Sequence, residues 1–295
     1  MTALGAHRIA PAKINLFLHV GDKRADGYHN LASLVVFADS ADRISLTTAP
    51  AFSLNVTGPQ AGPLKDEKDN LVLKAARALA SWSETRGHKA SPVTLTLEKN
   101  LPVASGIGGG SSDAAATLQL LAEHWALPIH ADDLHAIGAS LGADVPVCLA
   151  RMPMMISGYG DILTAINTLP DFSLVLVNPL VPVATGAVFR ALEARSGAVS
   201  PILPAKPFKV GELATLLDRT INDLAAPAKS VAPIIMKVEQ ALVATDGCLV
   251  ARMSGSGATC FGLYATKDAA KSAAASISKQ NPNWWVSAAG LFSVV

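Results

Sequence analysis

The stretch PVASGIGGGSSDAAA, Pro102 to Ala116, constrains the fold more than any other feature of this 295-residue chain. Gly106, Gly108, Gly109 and Gly110 fall within five positions. Glycine at that density weakens a chain unless its backbone must come close to something. Upstream, Val93, Leu95 and Leu97 alternate with Thr94, Thr96 and Glu98, which predicts a strand running into the loop. Downstream, Ala114, Leu118, Leu121, Ala122 and Trp125 fall on one helical stripe, and Ser111, Ser112 and Asp113 suit its first turn. Strand, glycine loop and helix in that order aim backbone N–H groups and the positive end of a helix at one point, where a nucleotide polyphosphate can be held. The competing reading is a flexible turn with capping serines, and such a turn needs one or two glycines rather than four.

Other phosphate and nucleophile motifs do not fit. There is no G-x-x-x-x-G-K-[ST], and Ser111 stands where the dinucleotide pattern requires its last glycine. The HRD and DFG segments of protein kinases are absent, and Asp113 replaces the final glycine of G-x-S-x-G.

Charge narrows the partners. With 24 basic and 23 acidic side chains the formal net charge is +1. No bulk field gathers nucleic acid or an anionic membrane, so an anion must be held locally. Half of the residues are hydrophobic but only 5% aromatic, which predicts a globular interior of Ala, Leu, Val and Ile. The longest apolar runs, such as Leu34 to Ala38 and Leu174 to Val177, fall far short of the roughly 20 residues of a membrane span. Cys148, Cys248 and Cys260 are too few and too scattered for a disulfide framework or a metal pair, so a reducing cytoplasm is expected.

Along the chain, Ile14, Leu16, Leu18 and Val20 alternate with Lys13, Asn15 and Phe17, predicting a strand over 12–20 on which Lys13 and Asn15 share a face. Leu31 to Phe37 and Ile44 to Thr48 read as two further strands, and Asn70 to Trp82 as a helix. Another helix is expected over 132–141, stopped by Gly142. Beyond Pro170 and Asp171 come a buried strand over 174–177, helices over 212–224 and 232–244, and then strand, glycine turn, strand, helix and strand from Cys248 to Phe292. The pattern is α+β in two lobes.

Three segments together resemble the GHMP kinase superfamily: PAKINLFLHV from Pro11, the glycine loop, and SGSGATCFGLY from Ser254. Within it, RADGYHNL from Arg24, DNLV from Asp69, LGADVPVCL from Leu141 and ATGAVF from Ala184 resemble the kinases that act on a cytidyl-diphosphate-linked methylerythritol in non-mevalonate isoprenoid biosynthesis. The resemblance implies a two-lobed fold, with an N-terminal ATP-binding domain over 1–165 and a C-terminal ferredoxin-like α/β domain over 166–295. It implies ATP with Mg2+ as cofactors and transfer of a phosphoryl group to the 2-hydroxyl of a small-molecule substrate. It also implies a monomer or weak homodimer. A homoserine or mevalonate kinase, or a non-catalytic sensor on the same scaffold, is the alternative.

By that resemblance Asp144 accepts the hydroxyl proton and Lys13 is its electrostatic partner. The bland readings are a turn-forming aspartate and a solvated strand lysine; an unpaired charge in so apolar a strand argues against the second. Pro102, Val103, Ala104, Ser105, Gly106, Ile107, Gly108, Gly109, Gly110, Ser111 and Ser112 are implied to hold ATP, with Lys99 and Asn70 near its adenine or else ordinary surface residues. Tyr28 and Phe189 are implied to sandwich the cytosine and His29 to read its polar edge, while core packing is the rival reading of Phe189. Asn15 and Thr185 are implied on the substrate side. The glycine turn from Ser254 is implied to buttress the phosphate loop, or else is a plain hairpin. Three departures from the family pattern stand out: Ala104 and Ser105 occupy places often held by glycine, Val35 a place often held by an aromatic residue near the cytidine, and Asp113 a place often held by Asn. Metal ligands stay unassigned.

Overall fold

The computed structural model describes residues 6–23, 25, 29–65, 67, 70–193 and 195–293. Two long strands open the chain, β1 (His7–Lys23) and β2 (His29–Thr48), followed by β3 (Ser53–Thr57), α1 (Leu71–Glu84) and β4 (Val93–Glu98). Three helices come next: α2 (Gly109–His124), α3 (Ala131–Leu141) and α4 (Val145–Ala150). Then follow β5 (Met154–Ser157), β6 (Ile162–Ala165), β7 (Ser173–Asn178), α5 (Thr185–Arg190), α6 (Val210–Asp218), α7 (Ala225–Val231) and α8 (Ile234–Val243). The chain finishes with β8 (Cys248–Met253), β9 (Cys260–Tyr264), α9 (Lys267–Gln280) and β10 (Trp285–Gly290).

Two compact units are built from interleaved segments. The first comprises Met1–Ala12, Ala41–Val103 and Gly108–Ala150; the second comprises Lys13–Ser40, Ala104–Ile107 and Arg151–Val295. Compactness therefore divides the chain differently from a single cut at 165/166. The physical reason lies in β1 and β2, which at 17 and 20 residues are long enough to give one end to each unit.

In the first unit, β4 pairs antiparallel with β2 from Arg43↔Glu98 to Thr48↔Val93, and parallel with β3 from Ser53↔Thr94 to Thr57↔Glu98. Helix α1 starts where the Asn70 side chain accepts the Val72 N–H at 2.9 Å, and buries Val72, Ala75, Ala76, Leu79 and Ala80 on one stripe. Helix α2 is buried on most sides, through Ala114, Ala115, Ala116, Leu118, Leu120 and Leu121, because α1 and α4 both pack against it.

In the second unit the four-stranded sheet runs β10-β7-β9-β8, and every neighbouring pair is antiparallel. In order of appearance that is 4-1-3-2, the ferredoxin-like split βαβ arrangement. All six residues of β7 are buried, matching the continuous apolar run read from the sequence. Helices α8 and α9 pack on this sheet.

Three elements differ from expectation. The strands expected over 31–37 and 44–48 form one, β2, because the polar run between them stays extended and buries Asp42. The helix expected over 212–224 ends at Asp218, and the next residues bond strand β1 instead: Leu18 N–H donates to the Ile221 carbonyl at 3.0 Å and Asp223 N–H to the Leu18 carbonyl at 2.9 Å. The helix expected over 232–244 starts at Ile234, with Pro233 as its N-cap, and α7 lies before it.

Candidate active site

The glycine loop is divided between the units. In the first, β4 delivers the chain to Lys99, and α2 begins at Gly109 after Gly108, whose φ of 61° is left-handed. The N-cap of α2, Gly108, has no side chain with which to cap it. The first-turn amides, which a helix cannot bond internally, are the groups that the strand–loop–helix pattern is expected to aim at an anion. Ser112 was expected to add a hydroxyl donor. Its hydroxyl donates instead to the Pro11 carbonyl at 2.8 Å, fastening the helix to the start of β1, while Ser111 is half-buried.

Lys99 and Asn70 are both buried rather than surface residues. The Asn70 amide caps α1 and also donates to Glu67 at 2.9 Å. The Lys99 ammonium donates to Asp42 at 2.5 Å and Asp113 at 2.7 Å. Burial lowers the lysine's proton affinity, but the two carboxylates outweigh it and hold its pKa above the ordinary value. Asp113 is pushed up to about 7, mainly by burial and further by Asp42, with Lys99 opposing. Beside these residues lies an open cleft of about 610 Å3, lined by Val56, Thr57, Leu64, Glu67, Leu73 and Thr96 among others. Lys99 N–H donates to the carbonyl of one lining residue, Thr57, at 2.8 Å.

Asp144 is half-buried and sits directly before α4, its carbonyl accepting the Cys148 N–H at 3.1 Å. Sequence places it between the stop of α3 and the start of α4, where an aspartate is also a natural turn former.

In the second unit, Lys13 and Asn15 lie buried on β1. Lys13 N–H donates to the Ile107 carbonyl at 2.9 Å, tying the lysine's backbone to the glycine loop. The Asn15 amide is oriented by its neighbours. Ser33 donates its hydroxyl to the Phe17 carbonyl at 2.6 Å, so the 2.8 Å bond between Ser33 and Asn15 must be donated by Asn15 Nδ2. That leaves Asn15 Oδ1 buried without a hydrogen-bond partner among the described residues.

The turn from Ser254 locks onto residues 104–107. The Ser254 hydroxyl donates to the Gly106 carbonyl at 3.1 Å and accepts the Asn15 N–H at 3.1 Å, and Thr259 N–H donates to the Ser105 carbonyl at 3.1 Å. Buttressing and the tight turn are thus both present. Sequence reading missed what holds this turn from behind: Asn222 donates to the carbonyls of Met253 and Gly255 at 2.9 and 2.8 Å, and Asn178 to the Thr259 hydroxyl at 2.8 Å. The one sequence signal was a pair of polar residues, Asn222 and Asp223, interrupting an apolar helical pattern. Ala104 is exposed with φ 50°, so this chain takes a left-handed turn without the glycine.

His29 and Phe189 come together, their ring centroids 5.7 Å apart and their planes 23° from parallel. Phe189 is half-buried and packs on the unit's core, as the core-packing reading expects. His29 Nδ1 lies 3.1 Å from the Gly21 carbonyl. Thr185 pairs with Ser256 of the glycine turn at 2.8 Å. Tyr28 lies outside the described residues. Among those described, no three His, Cys, Asp or Glu side chains gather to hold a metal.

A helix behind a glycine loop, a buttressing second glycine turn and a ferredoxin-like sheet are the parts that the GHMP kinase resemblance implies. The model of the GHMP kinases N terminal domain matches residues 70–151, and that of the GHMP kinases C terminal matches 209–283. Over 95% of its length the chain is 52% identical to the 4-diphosphocytidyl-2-C-methyl-D-erythritol kinase of Cereibacter sphaeroides, covering 97% of that protein. It is 49% identical over 96% of its length to the kinase of the same name from Paramagnetospirillum magneticum, covering 98% of it. A crystal structure of 4-(cytidine 5'-diphospho)-2C-methyl-D-erythritol kinase superposes with a TM-score of 0.77 at 32% identity, over 98% of this chain and all of that one. The chain belongs to the 4-diphosphocytidyl-2-C-methyl-D-erythritol kinase family.

Proposed function

We propose that this protein moves the terminal phosphoryl group of ATP onto the 2-hydroxyl of 4-diphosphocytidyl-2-C-methyl-D-erythritol, within non-mevalonate isoprenoid biosynthesis. The stacked pair of His29 and Phe189 carries the choice of acceptor. A carbonyl can only accept, so Nδ1 of His29 donates to Gly21, and in the neutral ring Nε2 is then the acceptor. An acceptor beside an aromatic face suits the amino edge and flat ring of cytosine. Homoserine and mevalonate have no ring to use it. Tyr28, by family resemblance, covers the other face of the base.

The uncapped first turn of α2 supports the phosphate end, with the amides from Gly109 to Ser111 gripping phosphate oxygens. Residues Pro102 to Gly108 shape the approach to them. We place the adenine in the cleft beside Thr57 and Glu67, next to the backbone of Lys99 and the partner of Asn70. Mg2+ arriving with ATP supplies charge neutralisation across the transferred phosphate.

Asp144 takes the hydroxyl proton as the acceptor oxygen bonds phosphorus and the bond to the departing ADP oxygen breaks. Lys13, by family resemblance, offsets the negative charge that develops as the phosphoryl group moves. The unpartnered Oδ1 of Asn15 accepts a substrate hydroxyl, and Thr185 contacts the substrate from the glycine turn. Three free thiols support a reducing, cytoplasmic setting.

A coupled ADP-release assay tests the reading. Turnover with 4-diphosphocytidyl-2-C-methyl-D-erythritol is expected, with phosphorus NMR placing the new ester on the 2-hydroxyl. Turnover of homoserine or mevalonate with none of the cytidyl compound would reverse it.

A further inference from the structure

The buried side chains of Asp42, Lys99 and Asp113 have no part in the mechanism above, yet they join the two ends of the glycine loop. Asp42 Oδ1 accepts the N–H groups of Asn100 at 2.6 Å and Leu101 at 2.9 Å, the residues that lead into the loop. Its other oxygen holds Lys99, and Lys99 reaches on to Asp113 in the first turn of α2, where the chain leaves the loop. All three side chains are at most 3% exposed. Gly109 completes the fit, since a Cβ there would stand 3.1 Å from the lysine Nζ, so the helix start rests against the ammonium.

We propose that the Asp42–Lys99–Asp113 bridge is a positioning device for nucleotide binding: it fixes the distance between entry and exit of the loop and so presets the first-turn amides of α2 for polyphosphate. This rests on the reading of those amides as the phosphate grip. The charges explain why the bridge is sensitive to pH. One ammonium faces two carboxylates, which leaves one negative charge in excess when both are ionised. Asp113 Oδ1 is buried with no hydrogen-bond partner among the described residues, and a proton held there makes the cluster neutral while the other oxygen still serves Lys99. Lys99 from the end of β4 and Asp42 from β2 are the charged groups facing Asp113. Loss of the proton places a buried negative charge behind an anion site. Because folding raises the pKa of Asp113 to about 7, the proton also favours the fold. That contribution to stability is complete below the ordinary carboxylate range and is lost as pH climbs through about 7.

The test compares wild type, Asp113→Asn and Asp113→Ala. Asp113→Asn keeps an oxygen for Lys99 but cannot ionise. Asp113→Ala breaks the bridge yet leaves Lys99 paired with Asp42. ATP KM, acceptor KM and kcat are measured from pH 6 to 9. The wild-type ATP KM is expected to rise about tenfold between those limits, the effect of one buried charge on an anion roughly 10 Å away at an effective dielectric of about 20. Asp113→Asn should hold its pH 6 value throughout. Asp113→Ala should show a raised ATP KM at every pH, with the acceptor KM unchanged. A wild-type ATP KM indifferent to pH, or equal behaviour of the Asn and Ala variants, overturns the positioning role. Absence of ATP turnover in all three proteins defeats the kinase reading, and this inference with it.

Discussion

Gly106 and Gly110 stand in one loop, yet the space around their missing side chains differs. A Cβ on Gly106, where φ is 74°, would lie 2.6 Å from both the Gly257 nitrogen and the Ser254 carbonyl oxygen, inside contact distance of another backbone. A Cβ on Gly110 would find its nearest neighbour, a Leu71 methyl, at 3.5 Å, an ordinary contact, and that residue is exposed. The density of glycine therefore has two causes. Part of the loop is bare so that a second glycine turn can lie against it, and part is bare where the amides of α2 face outward. Close approach in the first part is to the protein itself, a possibility that the sequence pattern does not separate from close approach to a ligand.

Substitution at the two positions should pull stability and function apart. Gly106→Ala forces a left-handed alanine and a backbone collision together, so urea unfolding should show a loss of about 3 kcal/mol or more. A loss under about 1 kcal/mol would mean that the two turns part easily. Gly110→Ala, by contrast, should leave the fold unharmed or stabilise it by about 0.5–1 kcal/mol, through the better helix propensity of alanine. Its ATP KM should nonetheless rise by about tenfold or more if the phosphate approaches those amides closely. An unchanged ATP KM would move the phosphate grip away from Gly110 and dissolve the contrast.

Contiguous patterns were legible. Alternation gave β4 and the first strand, and the glycine cluster marked the junction with α2 because the requirement for bare backbone is local. The polar interruption of that strand at Lys13 and Asn15 could be read in the same way, since a buried polar side chain in an apolar strand demands a partner. What stayed hidden depends on partners distant in sequence. Asp42 sits in the polar run between two expected strands, and only its bonds to Lys99, Asn100 and Leu101, nearly sixty positions away, show why it is buried. Residues 219–224 carry a helical pattern, but pairing with Leu18 and the Asn222 bonds to the second glycine turn override it. Ser112 stands in the first turn as a phosphate donor would, but its hydroxyl donates to the Pro11 carbonyl, a partner about a hundred positions away.

Single-turnover kinetics of Asp144→Asn, run beside ATP-binding titrations, probe the central claim that this carboxylate takes the acceptor's proton. Nucleotide affinity should remain within about threefold of wild type while the rate of phosphoryl transfer falls by about a thousandfold. Transfer within tenfold of the wild-type rate would contradict the account.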